Sequence, residues 1–305
     1  MKKRYPYYPG CSLHSTGREY DLSFREICPE FGIELEEVKG WTCCGASSAH
    51  PVSHLLSIAL PAGNLARVEA SGSKEVLVPC AACFSRFKTT ANEIKNEPAI
   101  KPEIDGVLGR PFLNSVETIH PLGLLDELIK NGGYDNTCVG AVTKHGVPQT
   151  AKKPAKDMSG IKTVCYYGCL LTRPPKVTQF DDCEYPMTMD RVLRKFGIET
   201  LDWSYKTDCC GAGFGLTRPD IVCKLIKKIL DNAIAVGANA VAVACPLCHA
   251  NLDSRQADLN AEGGNYNIPI FYFTQLIGLA MGISPERLGL KSHLVETGAA
   301  LEMMK

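Results

Sequence analysis

No stretch of this chain stays apolar for long. Its longest such runs, LIGLAMGI at 276–283 and AVAVAC at 240–245, fall far short of the roughly 20 residues that a bilayer-spanning helix needs. The opening MKKRYPYYPGC is basic but has no apolar run of ~7–15 residues behind it, so it does not read as a secretory signal, and the expected location is cytoplasmic. An excess of charge is missing too: Lys+Arg and Asp+Glu are 33 each, so no overall field draws nucleic acid or an anionic membrane. Two signatures are also absent, the C-x2-C-x2-C-x3-C-P run of ferredoxins and a G-x-G-x-x-G opening a helix after a strand. The chain therefore carries neither a conventional relay cluster nor a dinucleotide fingerprint.

What the chain does have is 15 cysteines in 305 residues. In a reducing compartment such a number points to metal rather than to disulfides, and spacing decides. Ten of them fall into one frame used twice. Cys11 is followed after 31 residues by Cys43-Cys44 and after 35 more by Cys80-x-x-Cys83; Cys169 is followed after 39 by Cys209-Cys210 and after 34 by Cys245-x-x-Cys248. The flanks repeat in the same order: YYPGC (7–11) with YYGC (166–169), FGIE (31–34) with FGIE (196–199), CCGA (43–46) with CCGA (209–212), and KEVLVPCAAC (74–83) with NAVAVACPLC (239–248). An internal duplication follows, with modules over 1–130 and 163–305 and a linker over 131–162, a stretch rich in Gly, Lys, Thr and Pro without apolar periodicity.

Each module reads as α/β. EVLVP (75–79) and AVAVA (240–244) have the short, apolar character of strands buried on both faces, and each delivers a Cys-x-x-Cys at its carboxyl end. DIVCKLIKKILDNAIAVG (220–237) spaces Val222, Leu225, Ile226, Ile229 and Ala233 as a helix closed by Gly237. Its counterpart over 53–68 is a poorer helix, expected to kink or break at Pro61 and Gly63. Segments 21–33 and 187–198 read as amphipathic helices closed by Gly32 and Gly197. Alternating helices and strands imply two similar Rossmann-like parallel-sheet domains related by pseudo-twofold symmetry, with sites at the carboxyl ends of strands.

Vicinal cysteines are hard to aim at one small tetrahedral ion, whereas a cluster offers separate iron atoms to each thiolate. Structural zinc closes at four ligands, but each module supplies five cysteines including a Cys-Cys pair. Gly10, Gly45, Gly168 and Gly211, each beside a frame cysteine, permit close backbone approach and N–H groups aimed at sulfur; singly, each would pass for turn punctuation.

These motifs resemble the CCG domain, and two of them in a chain of this length resemble the B subunit of heterodisulfide reductase, over essentially the whole chain including IPIFYFTQLIGLAMGISPERLGL (268–290). The resemblance implies one non-cubane [4Fe-4S] cluster on Cys11, Cys43, Cys44, Cys80 and Cys83, and another on Cys169, Cys209, Cys210, Cys245 and Cys248. It further implies reductive cleavage, or reversible formation, of a small disulfide between the clusters. The implied partners are a small [4Fe-4S] subunit of the C type and a flavin-bearing A subunit. Cys43-Cys44-Gly45 and Leu170 after Cys169 depart from methanogen members, which carry Cys-Cys-Pro and a His at those places; CSLHSTGREYDLS (11–23) with CCGASSAH (43–50) is closer to bacterial forms. A second reading comes from CCG modules in dehydrogenases: an electron-transfer or quinone-facing subunit.

Product thiolates need protons, so His249, directly after Cys248, is the first candidate donor or substrate contact, with His50, His54 and His14 behind it. Arg218 is a candidate for meeting an anionic substrate group. His120 has no repeat partner and reads as a packing residue, as do Cys28 and Cys223 within helices. Cys165 competes with Cys169, but the YYGC match sets Cys169 opposite Cys11. Cys138 falls in the linker, and Cys183 reads as structural or free.

Overall fold

The computed structural model describes residues 2–47, 49, 51–130 and 155–304, so His50, Cys138 and most of the expected linker lie outside the described residues. The first half runs β1 (Lys3–Tyr7), α1 (Gly10–Leu13), α2 (Arg18–Ile27), β2 (Ile33–Glu37), α3 (His54–Ala70), β3 (Glu75–Leu77), α4 (Ala81–Asn96), α5 (Lys101–Leu108), β4 (Glu117–Ile119) and α6 (Pro121–Leu128). The second repeats the plan: β5 (Lys162–Tyr166), α7 (Pro175–Thr178), α8 (Thr188–Lys195), β6 (Glu199–Thr200), α9 (Pro219–Ala235), β7 (Ala240–Val243), α10 (Pro246–Ala261), β8 (Ile270–Tyr272), α11 (Phe273–Ala280) and α12 (Gly298–Glu302). Each half forms a four-stranded parallel sheet, in the orders β2-β1-β3-β4 and β6-β5-β7-β8, with helices as crossovers. Both β3 and β7 lie in the interior of their sheets and are almost wholly buried, as their unbroken apolar character requires.

The expected break in the first half does not occur. Residues 54–70 form one helix, started by Ser53, whose hydroxyl accepts from Leu56 N at 3.2 Å. An interior proline costs a helix ~3 kcal/mol, but Ile58, Ala62, Leu65 and Val68 are all buried, and packing of that face sustains the helix. Gly63 also lets α5 come close: a Cβ there would lie 3.4 Å from Leu108 Cδ2. Residues 155–161 pack onto the second half, with Ala155 N bonded to Ala280 O at 2.7 Å and Met158 and Ile161 buried.

The two halves meet through reciprocal contacts. Helix α2 of the first packs on α11 of the second, and α8, the counterpart of α2, packs on α6, the counterpart of α11. Likewise α1 touches α10 while α7 touches α4. Ser23 and Thr274 share a buried hydrogen bond of 2.7 Å across one contact, and Arg191 binds Asp126 at 3.0 Å across the other. Because α4 and α10 carry the Cys-x-x-Cys motifs, this interlock brings the carboxyl ends of both sheets together.

Within the second half, Lys206 and Asp190 form an ion pair of 2.8 Å with both side chains fully buried, and Tyr167 donates its hydroxyl to the same carboxylate at 2.8 Å. The Lys206 carbonyl accepts from Tyr167 N and Gly168 N, so the pair braces the turn that presents Cys169. Lys206→Met, which strands the carboxylate, is expected to cost about 3–5 kcal/mol in denaturant unfolding, with most of it recovered in Lys206→Met/Asp190→Leu. Thr274→Val, which removes only the hydrogen bond to Ser23 between the halves, should cost about 1 kcal/mol in the same measurement.

Candidate functional site

The ten frame cysteines gather into two sets of five. In the first, Cys11 Sγ lies 3.9 Å from Cys43 Sγ, and Cys44 Sγ lies 3.1 Å from Cys83 Sγ. In the second, Cys210 Sγ lies 3.5 Å from Cys248 Sγ, and Cys169 neighbours Cys209. Within each set the lone cysteine and the first of the vicinal pair face outward, while the other three are buried. The sets also meet: the Cys80 and Cys245 thiols, each the first of its Cys-x-x-Cys, are neighbours that perturb each other's protonation across the seam between the halves.

Local structure explains the convergence. Cys80 and Cys245 are the N-caps of α4 and α10, so each Cys-x-x-Cys spans the first turn of a 16-residue helix, where free N–H groups and the helix dipole favour thiolate charge. Gly10 and Gly168 have φ of +71° and +67°, and a Cβ there would lie 3.1 Å from Cys83 Sγ and 2.8 Å from Cys248 Sγ; only glycine both makes that turn and leaves room for the sulfur. The N–H groups of Gly45 and Gly211 point at Cys43 Sγ (3.4 Å) and Cys209 Sγ (3.3 Å).

Two tyrosines latch the vicinal pairs from behind. Tyr8 donates its hydroxyl to Thr42 O at 2.8 Å and Tyr166 donates to Asp208 O at 2.6 Å, in each case the carbonyl just before Cys-Cys. Buried Asn64 holds Thr42 through both its N–H (2.8 Å) and its carbonyl (2.9 Å), and Asn251 donates to Cys210 O at 3.0 Å. The paired tyrosines stand in plain sight in YYPGC and YYGC, but nothing in the sequence said which carbonyl they would reach.

Crowding redistributes protons among the thiols. Interaction with Cys43 and Cys83 lowers Cys44 to about 4, and interaction with Cys169 lowers Cys209 to about 6. Their partners Cys43, Cys83 and Cys169 are pushed up by the same interactions together with burial. Among the described residues, no three His, Cys, Asp or Glu side chains are arranged to hold a single metal ion. Instead the second set opens onto a cavity of about 240 Å³ walled by Ala81, Tyr167, Leu170, Phe214 and Leu247 as well as by its cysteines.

Around the seam stand two aromatic triads in equivalent places. Phe84, which follows Cys83, meets His120 edge-on at 5.8 Å, and Phe180 from the second half closes the group at 6.2 and 5.8 Å. His249, which follows Cys248, stacks with Tyr272 at 4.4 Å, and Tyr20 from the first half stacks with Tyr272 at 4.4 Å. His120 and Tyr272 are the N-caps of α6 and α11. His120 is buried, as expected, but does more than fill space: its Nε2 bonds Pro79 O at 2.8 Å, next to Cys80, and its Nδ1 accepts from Leu122 N at 3.2 Å.

The remaining candidates are placed as follows. His249 is buried, with its Nε2 bonded to Ile270 O at 3.0 Å; burial lowers it to about 3, and it does not line the cavity. Arg218 is exposed and forks onto Asp220 at 3.0 and 2.8 Å. His14 pairs with Glu37 at 3.4 Å beside Trp41, and His54 with Glu93 at 3.3 Å. Cys165 is buried inside β5 with Asp190 and Lys206 for neighbours, Cys28 and Cys223 are buried in their helical segments, and Cys183 is half-buried beside Glu184.

The chain is similar to known proteins over nearly its whole length. The 8-methylmenaquinol:fumarate reductase membrane anchor subunit of Wolinella succinogenes is 28% identical over 297 residues, 97% of this chain and 98% of that one. The B subunit of the ferredoxin:CoB-CoM heterodisulfide reductase of Methanosarcina mazei is 27% identical over 294 residues, 94% of this chain and 92% of that one. Among solved structures, a hypothetical protein from Helicobacter pylori shares the fold, with a TM-score of 0.72 at 11% identity over 96% of this chain; the chain spans about half, 52%, of that protein's length. The CCG cysteine-rich domain profile matches twice, over residues 5–88 and 163–253. With both matches covering the cysteine frame, the chain belongs to the CCG cysteine-rich domain family.

Proposed function

We propose that this protein is the iron–sulfur catalytic subunit of a heterodisulfide reductase-type complex, reducing or reversibly forming a disulfide at two non-cubane [4Fe-4S] clusters. The observation that carries the reading is the pair of five-thiol sets in contact at Cys80 and Cys245, which would seat two clusters side by side. The donor set suits such a group: five thiols per half, N–H groups of Gly45 and Gly211 aimed at sulfur, and an apolar cavity of about 240 Å³ at the second set, far roomier than one ion needs. Cys11, Cys43, Cys44, Cys80 and Cys83 would hold one cluster, and Cys169, Cys209, Cys210, Cys245 and Cys248 the other. When bound, each cluster supplies one of the two electrons that disulfide cleavage requires.

The chain's own residues prepare the site for that chemistry. The helix N-termini at Cys80 and Cys245 offset accumulated thiolate charge, Tyr8 and Tyr166 hold the vicinal pairs in place, and the apolar walls of the cavity exclude water. Electrons would arrive from a C-type [4Fe-4S] subunit and a flavin-bearing A-type subunit in the cytoplasm; the M. mazei relative is by name one subunit of such a reductase. His249, His50 and Arg218 remain proposed contacts for substrate or protons.

A second reading, a quinone-facing electron-transfer subunit, is favoured by the W. succinogenes relative and by Leu170, Phe214 and Leu216, which stand exposed in and near the loop that carries the second set. No helix among the described residues is long and apolar enough to cross a membrane.

Iron and acid-labile sulfide analysis of anaerobically purified protein should find about eight irons per chain, four for each [4Fe-4S] cluster. Cys44→Ala and Cys210→Ala should each lose about half of that iron; zinc in place of iron would sink the cluster reading. An EPR signal perturbed by a small thiol or disulfide supports the reductase, and one perturbed only by a menaquinol analogue supports the second reading.

A further inference from the structure

The cavity at the second set has one chemical character throughout. Its thiols form one side; the other is made chiefly by Ala81, Tyr167, Leu170, Phe214 and Leu247, and the whole surface is almost entirely carbon and sulfur. Polar groups close by are engaged elsewhere. Tyr167 donates its hydroxyl to Asp190 at 2.8 Å and accepts there from Met189 N at 2.6 Å. In the loop that follows Cys210, the Gly211 N–H faces Cys209 Sγ, and Phe214 N and Gly215 N bond Gly211 O (2.8 Å) and Ala212 O (3.2 Å).

Cations of the surrounding elements are engaged as well. Arg173 bonds Glu184 at 2.7 Å, Lys206 pairs with Asp190 at 2.8 Å, Arg218 with Asp220 at 2.8 Å, and Arg255 reaches Asp258 (2.7 Å) and Gly215 O (2.6 Å). None of these four lines the cavity. The charged residue that adjoins the set in sequence is acidic, the exposed Asp208 just before Cys209. A carboxylate, sulfonate or phosphate carried beside a substrate's sulfur would give up water here and find no partner, whereas an alkyl or aromatic group gains from the same surface. Leu170 and Phe214 are 41% and 52% exposed, so both wall the cavity and border solvent. Arg255, on the helix that carries Cys248, holds Gly215 O and thereby steadies Phe214 in that place.

We propose that the second set receives the sulfur of a small thiol or disulfide whose adjoining group is uncharged and apolar, selected by Leu170 and Phe214 at the rim of the cavity. The proposal rests on the disulfide reading above and narrows its substrate class; anionic thiols and disulfides are the class it excludes.

The test is an EPR titration of anaerobically purified, iron-loaded full-length protein with propanethiol, ethanethiol and 3-mercaptopropionate, read as apparent affinity. Wild type should bind propanethiol at least about tenfold more tightly than mercaptopropionate, whose carboxylate loses water without compensation. It should bind propanethiol about fourfold more tightly than ethanethiol, one buried methylene apart. Leu170→Lys, which sets a cation at the rim and leaves every cysteine in place, should cut the preference over mercaptopropionate about tenfold by giving the carboxylate a charged partner. Val107→Lys adds the same charge at an exposed position of α5 and should keep the wild-type preference. Equal affinities, or a preference for mercaptopropionate, in a wild type whose signal responds to thiols overturn the substrate class and leave the disulfide reading standing. An unchanged preference in Leu170→Lys overturns the part assigned to the rim. A signal that answers none of the three thiols overturns the disulfide reading, and the substrate class with it. Should Leu170→Lys lose its iron, Phe214→Lys decides: a reduced preference supports the proposal, and an unchanged one overturns it.

Discussion

Ten thiols converging on one seam are electrostatically expensive, and much of this fold can be understood as meeting that cost. Burying so many thiols together makes their thiolate forms costly, and pairing with a neighbouring thiol together with burial pushes Cys43, Cys83 and Cys169 up. The compensation is local and repeated: two helix N-termini, two N–H groups aimed at sulfur, and two glycines that bring sulfur against backbone without a Cβ between. None of these devices depends on a charged side chain, which fits a site that has to accept further negative charge on reduction.

The second constraint is that each half is incomplete without the other. Helices α2 and α8 contribute to the opposite half's surroundings, and Tyr20 and Phe180 insert into triads built on the other half's Cys-x-x-Cys helix. Duplication alone yields two separate sites; reciprocal packing makes them adjacent. On the proposed reading, adjacency matters because two one-electron groups can act together on a two-electron bond only when both lie within reach of it.

Equivalence stops at the residues around the seam. Phe84, His120 and Phe180 on one side face His249, Tyr272 and Tyr20 on the other, so the same geometric frame holds an apolar, internally satisfied group and a group with phenol donors to spare. The two sets thus differ in their chemical surroundings.

Much of the architecture was legible in the chain. The cysteine frame, the paired glycines and the apolar strands that end in Cys-x-x-Cys pointed to two parallel-sheet halves with a site at each carboxyl edge, because strand burial and turn chemistry are local properties. Local reasoning failed at Pro61, where burial of the apolar face of α3 outweighs the helix-breaking tendency of one residue. It also had no means of pairing Cys80 with Cys245, Tyr8 with Thr42, or Tyr20 with Tyr272, since these contacts depend on how separate elements dock. The sequence by itself determined which sulfurs are available and that they come in two matched sets. Only the tertiary structure decided that the sets share a seam and which side chains face it, because spacing along a chain carries no information about the angle at which two halves pack.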